Sequence, residues 1–248
     1  MMYMNKWLIF LLFTAASLPI QSQSTAFVFL GGLSIGTQKW DNNFDRELLF
    51  APHGALSIES INNESDYASL LMQIGYHVKG SATRFIYTNP NTGFPGAAAV
   101  TERFEFRNFS LLLGAKQKFD WGADKNKKYY YFGGLRGDYT YSTNIDELPN
   151  AQANPAFYPF IGGVKRWIGG VSVGGGLEFM FADLVGVELR AALHPDLTLQ
   201  YQQPPINNVI NPWGPPGSTI NISERRIRNT TLEFSIGLRL LRKVILVD

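Results

Sequence analysis

A strict two-residue alternation narrows the fold more than anything else in this chain. It is cleanest at Thr230–Leu241, T-T-L-E-F-S-I-G-L-R-L-L. Leu232, Phe234, Ile236, Leu238 and Leu240 fall on one face, and Thr231, Glu233, Ser235, Gly237 and Arg239 on the other. Successive side chains of a strand point to opposite faces, so this is a strand with one apolar side. One such segment also suits a soluble sheet. Here the pattern recurs, at residues 26–38, 66–79, 81–89, 103–118, 129–142, 167–180, 185–196 and 229–241. Most of these segments are near the length that crosses a bilayer at a tilt. The expected fold is all-β: a closed, antiparallel, eight-stranded transmembrane β-barrel in up-and-down order.

Residues 1–24 read as a signal peptide. Lys6 supplies the positive start, Trp7–Ile20 the apolar stretch, and Ser22 and Ser24 the small residues before a cleavage site. The barrel is then expected over residues 25–248. The chain has no cysteine, which removes disulfide and lipoprotein chemistry. A formal net charge of +2 is too small to argue for nucleic acid. Beyond the leader no apolar run is long enough for a membrane helix.

The connections alternate in length. Lys39–Ser65, Pro90–Thr101, Thr143–Arg166 and Leu197–Arg228 are long, whereas those at Lys79-Gly80-Ser81, Asp120–Lys128 and Ala182-Asp183-Leu184 are short. A meander with both termini in the periplasm and long loops outside the cell gives this asymmetry, so the expected location is the cell outer membrane.

The face opposite the apolar one is charged. It carries Arg136, Asp138, Glu178, Glu188, Arg190, Glu233 and Arg239. An Arg against lipid at the midplane costs about 2–4 kcal/mol, so these groups are expected inside, pairing as structural glue in a filled lumen. A proton or ion pathway is the alternative use of the same groups. A soluble lipocalin-like barrel needs an apolar cavity and a wet exterior, the reverse of this distribution.

The segments F-V-F-L-G-G-L-S-I-G at Phe27–Gly36, L-M-Q-I-G-Y-H-V-K-G at Leu71–Gly80, S-V-G-G-G-L-E-F at Ser172–Phe179 and V-G-V-E-L-R at Val185–Arg190, with Q-S-Q-S at Gln21–Ser24, resemble the small outer-membrane barrels of Bacteroidota. These are the PorT-like members of the broad OmpA/OmpW-like class. The resemblance implies insertion by the outer-membrane assembly machinery and extracellular long loops. It also implies either a standalone barrel or a subunit of a secretion or assembly complex. The ending R-K-V-I-L-V-D lacks the terminal Phe common among such barrels.

Candidate contacts lie in the long loops. Trp40, Phe44 and Phe50 stand in the first. Ile206, Ile210 and Trp213 stand in the last, which Pro204, Pro205, Pro212, Pro215 and Pro216 stiffen. They are expected either to anchor a folded cap or to meet a partner protein or glycan. His53, His77 and His194 show no metal-ligand spacing, and His77 is expected near the periplasmic end, far from His194. His194 and Asp196 share a face, but no serine is placed to complete a nucleophilic set, Ser142 lying on a non-adjacent strand. Tyr129, Tyr130, Tyr131, Phe132 and Trp121 read as a periplasmic aromatic belt. No cofactor motif is present, and the glycines of 169–176 lack a phosphate loop's strand–turn–helix setting.

The expected role is therefore non-enzymatic. An interaction barrel, an accessory subunit of a larger secretion, assembly or uptake complex, comes first. Its expected partners are outer-membrane lipids and a protein in that membrane or at the cell surface. A small channel for ions or apolar solutes and a lipid-modifying enzyme using His194 or Asp196 are the alternatives.

Overall fold

The structure is a computed structural model that describes residues 23–40, 46–62, 67–88, 95–122, 124–148, 159–211 and 214–242. Most of the expected signal peptide, with Phe44 and Trp213, lies outside these. The strands are β1 (Gln23–Trp40), β2 (Leu49–Asn62), β3 (Ala68–Thr88), β4 (Pro95–Trp121), β5 (Asp124–Thr143), β6 (Trp167–Ala182), β7 (Val185–Pro195), β8 (Tyr201–Gln203), β9 (Ile206–Ile210), β10 (Thr219–Ile222) and β11 (Arg225–Arg242). No helix among the described residues is long and apolar enough to cross a membrane.

Nine strands form one antiparallel sheet in the order β1-β2-β3-β4-β5-β6-β7-β11-β8, and β1 also pairs with β11. The pairing therefore runs as a ring, sealed by a continuous register from Thr25↔Arg242 to Trp40↔Ile227. This corrects the expected eight-stranded closed meander. The sheet has nine strands. The ninth, β8, sits beside Arg225–Ile227 of β11, beyond the last β7 pair at Thr230↔Pro195. β9 and β10 form a separate two-stranded sheet.

Two further differences cancel in the count but change which segments are strands. Residues 49–62 read as loop because Pro52 and Gly54 interrupt them. Yet the β2–β3 pairs begin at His53, so at Pro52 the strand has a neighbour on one side only, where proline is tolerated. Conversely, Gly80 is not a turn. It lies inside β3 with φ +153, opposite Glu105 of β4, and a Cβ there would stand 1.8 Å from the Phe104 carbonyl oxygen. One long strand thus reads as two short ones, and residues 68–79 run in the opposite direction to that expected.

The ring is inverted relative to a soluble protein. Outward positions carry Phe29 and Leu33 on β1, Leu70 and Ile74 on β3, Leu111 and Leu113 on β4, Leu135 on β5, and Phe234, Ile236 and Leu238 on β11. All are exposed, Leu70 by 70% and Leu135 by 71%. Inward positions between them are buried and mostly polar or charged. Aromatic groups border this wall. Phe109 stacks on Tyr141 at 5.0 Å towards the loop end, and Phe119 stacks on Tyr129 at 5.1 Å near the short-turn end. Ten residues of β4 separate the two pairs. At about 3.3 Å per residue and a tilt near 40°, that spans about 25 Å, the height of an outer-membrane apolar band.

The run Phe109–Leu113 keeps its alternation, with Leu112 turned inward. A β-bulge in the β4–β5 pairing falls just before it, between Arg107 and Asn108. β1 begins and β11 ends at the end where β4 passes to β5 and where Asp183-Leu184 joins β6 to β7.

Candidate functional site

The interior is built by whichever residue each strand turns inward, and it divides into two ionic layers. Nearer the short-turn end, β4 supplies Lys116 and Lys118, β2 Glu59, β6 Glu178, β7 Glu188 and Arg190, and β11 Arg239. Lys116 Nζ lies 2.7 Å from Glu59 and 2.9 Å from Glu188, contacts Glu178, and sits 3.8 Å from the centre of the Tyr130 ring. Arg239 bonds Glu59 at 2.6 Å and Arg190 bonds Glu188 at 2.6 Å. The Tyr130 hydroxyl donates to Glu188 at 2.6 Å. The three carboxylates are close enough to share one cation, and the Lys116 ammonium already occupies that position.

Nearer the loop end, Lys79 of β3 bridges Asp138 and Asp196, at 2.5 Å each. Arg136 of β5 bonds the same two acids, at 3.0 and 2.6 Å. Asn229 donates to Asp196 at 3.0 Å.

Between these layers lies a feature that spacing did not reveal. The three histidines converge on Glu233. His77 Nδ1 is 3.0 Å from one carboxylate oxygen, and His194 Nε2 is 3.2 Å and His53 Nε2 3.9 Å from the other. His194 also contacts Ser172 Oγ at 2.7 Å, and His53 contacts Ser235 Oγ at 2.8 Å. This overturns the expected separation of His77 from His194. Because β3 is one strand running towards the loops, His77 lies well inside the ring, directly across from His53. The missing serine partner of His194 is Ser172 rather than Ser142, supplied by the neighbouring strand β6. Ser172 is wholly buried, and His194 and Glu233 are buried with it. The cavity at this cluster measures about 10 Å³, roughly the room of one water.

All seven charged residues singled out from the sequence are buried: Arg136, Asp138, Glu178, Glu188, Arg190 and Arg239 within these layers and Glu233 between them. Lys79, Lys116, Lys118, Glu59 and Asp196 complete them. The six acids and six bases balance when the histidines are neutral. Glu59 escaped notice because its strand did, and Lys116 and Lys118 lie on the inward face of a strand whose pattern is blurred by Leu111–Leu113. An apolar cluster of Leu71, Leu112, Tyr130, Phe132 and Ala192 also faces inward. Tyr130 and Phe132 are therefore interior residues. Of the residues expected in the aromatic belt, Tyr129, Tyr131 and Trp121 face outward.

The loop end carries the candidate contact residues. Trp40 is half-buried: Phe104 packs edge-on at 5.4 Å and the Arg46 guanidinium lies 3.4 Å over its ring. Phe50 is exposed, but it belongs to β2, paired with Ile35, and forms part of the apolar wall. Ile206 is half-buried and Ile210 is 75% exposed on the β9–β10 hairpin, with Ile220 also exposed. Beneath that hairpin Tyr201 is fully buried. It donates to Gln203 at 2.8 Å and accepts from the Phe160 amide at 3.2 Å, which ties β8 to the preceding loop. At the exposed rim, hydrogen bonds from Arg226 and then Gln202 hold the Glu224 carboxyl below its ordinary range.

No family model matches the sequence, and no curated protein does. Among solved structures, Neisserial surface protein A is 12% identical over 87% of this chain and 97% of its own, with a TM-score of 0.43. The outer membrane protein OprG of Pseudomonas aeruginosa is 9% identical over 89% of this chain and 98% of its own, TM-score 0.48. The outer membrane protease OmpT of Escherichia coli is 12% identical over 88% of this chain and 96% of its own, TM-score 0.36.

Proposed function

We propose that this chain is an integral outer-membrane protein of the small β-barrel class that acts through its loop end as a non-enzymatic interaction protein. One observation carries the reading: an exposed wall of leucine and aromatic side chains surrounds an interior of fully buried, mutually paired charges. In water that arrangement wastes the apolar surface and desolvates the ions. In a bilayer it satisfies both. With the interior filled by twelve ionised side chains and three imidazoles, the accessible surface for recognition is the wall and the loops. The wall contacts lipids. The β9–β10 hairpin, with Ile210 and Ile220 exposed, is the element best suited to meet a protein partner.

The short turns at the end where β1 begins and β11 ends support a periplasmic position for that end and an extracellular one for the loop end. An accessory role in a larger secretion, assembly or uptake complex, of the PorT-like kind, is the most specific form of this reading. It rests on the sequence segments quoted above. Extraction of the tagged protein in mild detergent, followed by size analysis and mass spectrometry, tests it. A stoichiometric membrane partner that is lost when the hairpin is removed supports the reading. A lone particle of the chain's own size overturns the subunit role.

A further inference from the structure

The outer surface of the β1–β11 seam changes character abruptly towards the loops. Outward pairs descend from the rim as Lys39↔Arg228, Thr37↔Thr230, Ile35↔Leu232 and Leu33↔Phe234. Arg226 follows Arg228 on the same outward face, beside Gln202 of β8. Lys39, Arg226, Arg228 and Leu199 line a recess of about 200 Å³. Lys39 and Arg228 have no acidic partner among the described residues. Among the described residues, the Glu224 carboxylate at this rim is held by Arg226 at 2.7 Å and by Gln202 at 3.1 Å. Elsewhere on the outer face Arg107 is matched by Glu105 at 3.6 Å. Like charges directly opposite on neighbouring strands repel. Lys39 set against Arg228, beside an Arg226 already paired with Glu224, therefore leaves a recess with two cations in excess among the described residues, which an anion would relieve.

Its height decides which anion. Four residues separate Lys39 from Ile35, about 13 Å along a strand and about 10 Å along the membrane normal at a 40° tilt. That is headgroup level, directly above the apolar strip of Ile35, Leu232, Leu33 and Phe234.

We infer that Lys39, Arg226 and Arg228 bind the phosphate of a phosphorylated glycolipid in the outer leaflet, with its acyl chains lying along the strip below. The inference rests on the membrane reading above.

The test uses the full chain in phosphatidylcholine vesicles doped with bisphosphorylated lipid A, or with the same lipid stripped of its phosphates. Lipid retained per chain is counted by native mass spectrometry after re-extraction. Bisphosphorylated lipid A is expected to stay bound and the stripped lipid to be lost. Each basic residue near a headgroup is worth about fivefold in affinity, so the variant Lys39→Gln/Arg226→Gln/Arg228→Gln should retain roughly a hundredfold less. All three side chains are exposed, so the variant should keep its folded, heat-modifiable gel mobility. Lys127→Gln/Lys128→Gln, at the opposite end, should retain lipid A normally, and a matching loss there overturns the site. Equal retention by the triple variant overturns it, as does equal retention of the stripped lipid. Displacement by millimolar inorganic phosphate overturns the lipid assignment in favour of a soluble anion. A chain that will not enter vesicles brings down the membrane reading and the site together. Insertion without retention brings down the site alone.

Discussion

Lys116 holds three carboxylates from three different strands, Glu59, Glu178 and Glu188, with no water-exposed surface of its own. Removing one partner of a buried ionic cluster leaves its counter-charges uncompensated, at about 3–5 kcal/mol. Lys116→Ala should lose about that much in urea unfolding in detergent micelles. Lys116→Ala/Glu188→Gln, which removes a charge of each sign, should recover part of it. A Lys116→Ala protein as stable as the parent would mean that the interior relaxes around the loss. Arg190→Glu sets a second carboxylate beside Glu188 and faces Gln73 in place of a donor, so its melting temperature should fall further than that of Arg190→Gln. Gly80 is a different kind of constraint. Its φ of +153 and the Phe104 carbonyl oxygen 1.8 Å from a virtual Cβ leave no room for a side chain. Gly80→Ala should cost about 1–3 kcal/mol, read by the same unfolding curves.

At the scale of elements, the sequence showed where alternation was clean and misled where special residues interrupted it. β1, β5, β6, β7 and β11 were legible because, along the middle of each strand, outward positions are mostly apolar or glycine and the charged positions all fall on the opposite face. Their inward charges were legible for the same reason. β2 was not, because Pro52 and Gly54 signal a turn until the one-sided pairing at Pro52 is known. β3 was cut in two at Gly80, which reversed the expected direction of residues 68–79 and sent His77 to the wrong end. The histidine–Glu233 cluster depends on that direction and on the pairing of β7 with both β6 and β11, which no single-strand pattern contains. β8 is only three residues long, too short for any periodicity. The β9–β10 hairpin is separable by the same reasoning: Ile206 and Ile222 are register partners, and its strands pair only with each other. Replacing residues 206–222 by a short Gly-Ser link should leave the heat stability of the ring unchanged and abolish capture of any partner. A large drop in stability would make the hairpin a structural cap.

For the whole molecule, the inverted distribution makes two commitments that point in opposite directions for a pore. The wall must be lipid-facing and the interior must be shut. Leu111, outward and near the middle of β4, tests the first: Leu111→Arg should cost about 2–4 kcal/mol in bilayers, whereas a solvent-facing leucine would tolerate the change. The second follows from what fills the ring. Two ionic layers are each tied across several strands, one bridging β2, β4, β6, β7 and β11 and the other β3, β5 and the residues just beyond β7. An ion moving through would have to break contacts of 2.5–2.9 Å in one layer and then the other, and pass the inward cluster of Leu112 and Phe132. In planar bilayers, protein whose insertion is verified independently should show no single-channel steps. Lys116→Ala/Glu59→Ala/Glu188→Ala, which hollows one layer and leaves the other intact, should also stay silent, because the Lys79–Asp138–Asp196–Arg136 layer still closes the path. Steps in the parent protein would overturn the filled-interior reading. Steps appearing only in the triple variant would show that the loop-end layer yields to ions, and that the short-turn layer alone seals the ring.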